Sequence, residues 1–134
     1  MTAANMEQAL YSILSDDTAV KALVAARIYP SIIPPDAALP AIAYQRVSAM
    51  RVKSHGGPSS LARPRFQITC LARSYGSARA VADATRGALD GIKKTVGNVW
   101  VQAAFVQNEF DTFTVEDDLY TVRQDFYVWH AETW

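Results

Sequence analysis

The sequence predicts an α+β fold: a largely antiparallel four-stranded sheet with helices packed on it, in the order α-α-β-β-α-β-β. Three observations carry this prediction. Ala78, Val81, Ala82, Thr85, Ala88, Leu89 and Ile92 recur at helical spacing, with Arg79, Asp83, Arg86 and Asp90 on the opposite side. Between Arg63 and Arg73, Phe66, Ile68, Cys70 and Ala72 alternate with Arg65, Gln67, Thr69 and Arg73, the period of a half-buried strand. The stretch Leu119 to His130 is rich in aromatic and β-branched residues and reads as a strand that must pair and pack. A helical stripe and one-sided strands imply a helix layer on a sheet. With 134 residues, half of them hydrophobic, the chain is expected to form a single domain spanning 1–134.

Asn5 followed by Gln8 resembles a capping box, and Met6, Leu10, Ile13 and Leu14 place a first helix over about Met6 to Ser15. Asp16 or Asp17 can cap a second short helix carrying Val20, Leu23 and Val24. Pro30, Pro34, Pro35 and Pro40 forbid regular structure over most of Pro30 to Pro40, a long loop that holds Ile32 and Ile33. Ala41 to Ser48 is the first strand and Arg63 to Arg73 the second, and Leu71 breaks the latter's polar face. Between them, Met50 to Leu61 is too long for a tight turn and is expected to project as a loop. Ser74 or Ser77 caps the best helix and Gly91 ends it, while Ala80, Ala84 and Gly87 leave a small-residue flank open to close approach. Strands over about Val99 to Asn108 and Leu119 to His130 then flank an acidic loop. The expected core is Leu10, Ile13, Leu14, Phe66, Ile68, Cys70, Val81, Leu89, Phe126 and Val128.

Net charge is zero, but the signs are segregated. No acid occurs from Ala37 to Ala82, where Arg46, Arg51, Lys53, Arg63, Arg65, Arg73 and Arg79 fall; from Glu109 to Asp118, Glu109, Asp111, Glu116, Asp117 and Asp118 stand without a base. A free nucleic-acid binder usually carries net positive charge, which this chain does not. Opposite charges in separate segments suit contact within the fold or between neighbouring copies. Cys70 is alone, which excludes an internal disulfide and fits a reducing compartment. Met1 to Asn5 lack the basic start of a signal peptide, and no apolar stretch approaches the ~18 residues of a membrane span.

No arrangement points to catalysis or a cofactor. His55 and His130 have no cysteine or paired histidine at metal-ligand spacing. Gly56-Gly57-Pro58-Ser59 lacks the lysine of a phosphate loop, and Pro58 removes a backbone N–H that phosphate would need. Ser59 and Ser60 lie outside any nucleophile elbow. The acids from Glu109 to Asp118 do not follow the spacing of an EF-hand calcium loop. Trp100, Phe126, Tyr127 and Trp129 read as core or interface rather than as a platform for bases. What remains is an interaction protein, with oppositely charged segments and sheet edges to be managed. Trp134 adds an apolar terminus suited to a partner surface.

Arg27-Ile28-Tyr29-Pro30, then Leu39-Pro40 before the first strand, then the closing aromatic strand occur in an order that resembles the tail-completion proteins of long-tailed, siphovirus-like phages. These are also called tail terminators or head–tail joining proteins, and the resemblance runs from about Met6 to Glu132. It implies a non-enzymatic virion protein, assembled in the host cytoplasm and located at the head–tail interface. It further implies a homo-hexameric ring that ends tube polymerisation. Partners would be the major tail tube protein and the head connector or stopper protein, with double-stranded DNA passing without specific binding and no membrane. A head-closure ring of the same joint and a small nucleic-acid-binding domain are the alternatives. Segregated charge and the loop over Met50 to Leu61 suggest Arg51, Lys53, His55, Glu116, Asp117 and Asp118 as interface residues, and the apolar terminus adds Trp134.

Overall fold

A computed structural model describes residues 6–48, 51–54, 57–97, 99–114 and 118–132. Helix α1 (Met6–Asp16) buries Met6, Ala9, Leu10, Ile13 and Leu14 on one stripe; Asn5, its expected cap, lies outside the described residues. Asp17 then caps α2 (Thr18–Val24), its carboxylate accepting from the backbone N–H groups of Ala19 and Val20 at 3.0 and 3.1 Å. Ala25, at φ 54°, ends that helix. Ser74 caps α3 (Tyr75–Leu89) by accepting from the Ser77 N–H at 3.2 Å. Of the small-residue flank of α3, Ala84 packs against the core, while Ala80 and Gly87 stay exposed and no other element comes within 4 Å of a Cβ built on Gly87.

The four expected strands are present, and four more accompany them. They are β1 (Ile28–Pro30), β2 (Ala41–Ser48), β3 (Arg51–Ser54), β4 (Gly57–Ala62), β5 (Arg65–Ala72), β6 (Lys94–Val96), β7 (Val99–Thr114) and β8 (Leu119–Glu132). All eight join one sheet, antiparallel except for the parallel pair β1–β2. Strand β8 is its spine: β5 and then β4 pair along one flank, and β7 runs along the other.

Two expected loops are therefore corrected. Much of Met50–Leu61 is a hairpin, with Ser54 opposite Gly57, and β4 hands Leu61 and Ala62 to β8 opposite Ala131 and His130. Backbone pairing satisfies N–H and C=O groups that a projecting loop would leave to water. Likewise β7 continues to Thr114, so Glu109 and Asp111 lie on a strand rather than in a loop.

Alternation sorts the sheet into two faces. Phe66, Ile68, Cys70 and Ala72 of β5 and Val122, Gln124, Phe126, Val128 and His130 of β8 are buried towards the helices. Phe66 sits opposite Phe126 and Cys70 opposite Val122. All ten expected core residues are buried. The Arg27 guanidinium ties α2 to the proline-rich segment: Nε donates to the Pro40 carbonyl at 2.9 Å and Nη2 to that of Leu23 at 3.3 Å.

Candidate functional site

None of the described helices covers the second face of the sheet. Across β5, β8 and β7 it is built in rows set by register: Arg65, Tyr127 and Phe105; Gln67, Asp125 and Asn108; Thr69, Arg123 and Phe110; Leu71, Thr121 and Thr112. Most of these side chains are half-buried, while Phe105 and Phe110 are 51% and 39% exposed. The Arg63 guanidinium lies 4.6 Å from the Tyr127 ring centre and 5.4 Å from that of Trp129, a stacking worth about 0.5–1 kcal/mol at an exposed site. Arg65 Nε is buried without a hydrogen-bond acceptor. Among the described residues Asp125 is the acid of this surface, and its carboxylate accepts from the Gln67 amide at 3.4 Å. Ser31, Ile32 and Ile33 raise a rim over β2 and β5, enclosing a trough of about 320 Å³ that reaches Arg123.

The helix side carries a second cluster, centred on α3 and β7. Arg79 reaches Asp83 at 3.0 Å and Glu109 and Asp111 at 3.5 Å each; Arg86 reaches Asp83 at 3.6 Å and Glu109 at 3.9 Å. Burial alone would lower the Arg79 pKa, but Glu109, Asp83 and Asp111 outweigh it and raise the value. Asp90 leaves this ladder and accepts from the Val106 N–H at 3.0 Å, covering part of the β7 edge. Beneath the cluster, the buried Gln124 amide donates to Ala82 O at 2.9 Å and to Glu109 Oε1 at 2.7 Å. Beside it, Tyr75, Asp111, Thr112, Phe113, Tyr120 and Thr121 line a cleft of about 240 Å³. The Tyr75 hydroxyl donates to Asp111 Oδ2 at 2.9 Å, and that bond holds the phenol above its ordinary pKa.

Cys70 is buried, and burial pushes its thiol up to about 12, so it is no nucleophile at neutral pH. Among the described residues no group of three His, Cys, Asp or Glu side chains could hold a metal ion. Nor, among them, is any helix long and apolar enough to cross a membrane.

Of the interface residues suggested by charge, Arg51 and Lys53 lie on β3, opposite Ala62 and Pro58. Asp118 is exposed at φ 54°, immediately before β8. His55, Glu116, Asp117 and Trp134 lie outside the described residues. Part of the segregated charge is matched within the chain, since Glu109 and Asp111 meet Arg79 and Glu7 meets Arg46. The open face with Arg65, Arg123 and Phe105 does not stand out from charge segregation. Its signal is nonetheless present: Leu119 to His130 has large residues at both parities, so burial of one face leaves Tyr127 and Trp129 on the other.

The family of tail completion protein gp17 matches residues 8–131. The chain belongs to this family. The tail-completion resemblance of the three sequence phrases is thereby shown, and the protein is a structural component of a phage-type tail. Among solved structures, a chain from the virion of a native gene transfer agent particle superposes with a TM-score of 0.77 at 18% identity, over 91% of each chain. That likeness shows the fold. No curated protein matches. In this fold the family-like phrases have structural work: Arg27 clamps Pro40, Ile28 is buried in β1, and the closing aromatic strand is the spine of the sheet.

Proposed function

We propose that this tail completion protein forms a hexameric ring at the head-proximal end of the tail tube. There it ends tube polymerisation and offers a surface to the head connector or stopper protein. The observation that carries this reading is the family match over residues 8–131. A tube grows by repeating one end-to-end interface, and a ring that covers that interface without reproducing it stops growth. A closed ring needs two different patches on each subunit, meeting head to tail. Weak contacts repeated round it add by multivalency to a stable joint. Arg51 and Lys53 on one side, and the acids around Asp118 on the other, are proposed as boundary charges. Double-stranded DNA passes through the channel without specific contact.

Particles lacking the protein are expected to carry overlong tubes that do not join heads, and averaged images of complete tails to show a six-fold ring of it at the neck. Normal tail lengths without the protein, or a neck with no such ring, would overturn the reading.

A further inference from the structure

Resting on the ring reading above, we infer that the open face of the sheet in one copy docks on the α3–β7 flank of the next copy. Two surfaces on the same chain carry opposite charge. Among the described residues of β5 and β8, Arg65 and Arg123 on the open face stand against Asp125, leaving one positive charge. On the flank Asp83, Asp90, Glu109 and Asp111 stand against Arg79 and Arg86, leaving two negative charges. The two surfaces are different patches of one chain, as a head-to-tail contact requires and a self-complementary dimer does not.

Apolar features match as well. The open face presents the phenyl rings of Phe105 and Phe110, 51% and 39% exposed, beside the Arg63–Tyr127–Trp129 stack. The flank offers an apolar cleft of about 240 Å³ beside the packed rings of Tyr75, Phe113 and Tyr120, which shares Asp111 with the acidic cluster. Aromatic rings and arginines at the centre of a contact are the residue types that concentrate binding energy. An acidic second copy therefore answers the charge and the exposed rings together.

The test uses the full chain in two variants, Arg65→Glu with Arg123→Glu, and Asp83→Lys with Asp111→Lys. Assembly is read by analytical ultracentrifugation and folding by circular dichroism melts. Each variant alone is expected to raise the concentration needed for assembly by at least about ten-fold, some 1.4 kcal/mol, while melting as a folded monomer. Mixing the two, or combining all four substitutions in one chain, is expected to restore the ring, because the reversed face then meets the reversed flank. Wild-type rings with both variants assembling normally would overturn this assignment and leave the ring reading standing. So would folded variants that fail alone and do not recover on mixing. A wild-type chain that is monomeric in solution and absent as a ring from tails would overturn the ring reading and this assignment with it. If Arg65→Glu with Arg123→Glu assembled normally but lost retention on double-stranded DNA at physiological salt, the face would be a DNA surface and the assignment wrong.

Discussion

The two faces of β5 and β8 are made from alternate residues of the same strands, yet they do different jobs. Towards the helices, Phe66, Ile68, Cys70, Val122, Phe126 and Val128 are almost completely removed from water. One residue along, Arg65, Gln67, Thr69, Arg123, Asp125 and Tyr127 stay half-exposed, with charge, amide and ring interleaved. A strand has period two, so the fold can place its stability on one parity and its contacts on the other. Changes on the second face can alter partners without emptying the core.

Replacing neighbours on β8 breaks or confirms that division most directly. Phe126→Ala, at a fully buried site opposite Phe66, is expected to cost about 3–5 kcal/mol. Tyr127→Ala, on the open side, loses its contact with Arg63 and is expected to cost about 1 kcal/mol or less. Urea denaturation measures both. Equal costs would mean that both faces are core.

Gln124 is the exception on the buried face, and it sharpens the comparison. Its amide bridges the Ala82 carbonyl and the Glu109 carboxylate, while its own Oε1 has no partner. Gln124→Leu keeps the burial but strips a donor from two buried or half-buried acceptors, and is expected to cost about 1–3 kcal/mol in the same assay. A neutral or stabilising outcome would show that the unpaired Oε1 outweighs both bonds.

Periodicity makes the helix-side half of the molecule legible in the sequence. The stripe from Ala78 to Leu89, the alternation around Phe66 to Cys70 and the aspartate cap of α2 each follow from local rules, and each is present. The short strands are hidden for physical reasons. Pro30 conceals β1, whose pairing with β2 is non-local, and Gly57-Pro58-Ser59-Ser60 has the composition of a loop although its backbone pairs as β4. The acids Glu109 and Asp111 suggest solvent, but they lie on a strand within reach of Arg79. Charge segregation is visible in the residues themselves. Which charges are matched inside the chain depends on the register of β7 against β8 and on α3 lying over both. The open face escapes because alternation marks a core, and the other parity reads as solvated surface.

Burial on the helix side also has a pH signature. The Cys70 thiol is pushed from its ordinary 9.0 up to about 12 by desolvation, with the Thr85 hydroxyl 4.0 Å away tempering the shift. Above pH 9 the unfolded chain loses this proton while the folded chain keeps it, so stability falls as pH rises from about 9 towards about 12. Below that window the thiol contributes no pH dependence. Between pH 8 and 10 the stability advantage of the wild type over Cys70→Ala is expected to shrink by about 1 kcal/mol. A difference constant over this range would mean that Cys70 is open to solvent and that the buried face is less complete than its packing implies.

The smallest effect on stability, and the sharpest test of the division, belongs to the charges of the open face. Arg65→Glu with Arg123→Glu removes no core contact, since both side chains lie on the half-exposed parity and the Arg65 Nε bonds to nothing. Against this, glutamate at 123 stands two residues from Asp125 on the same face, and such exposed like-charge contacts cost only tenths of a kcal/mol. The double variant is therefore expected to unfold within about 1 kcal/mol of the wild type, several-fold less than Phe126→Ala. Raising the salt concentration should narrow even that gap, because exposed charges are screened within about 10 Å at 0.1 M. A loss of several kcal/mol would place these arginines in the fold itself. A small loss accompanied by failed assembly would mean that one parity of the sheet holds the subunit together and the other holds its neighbour.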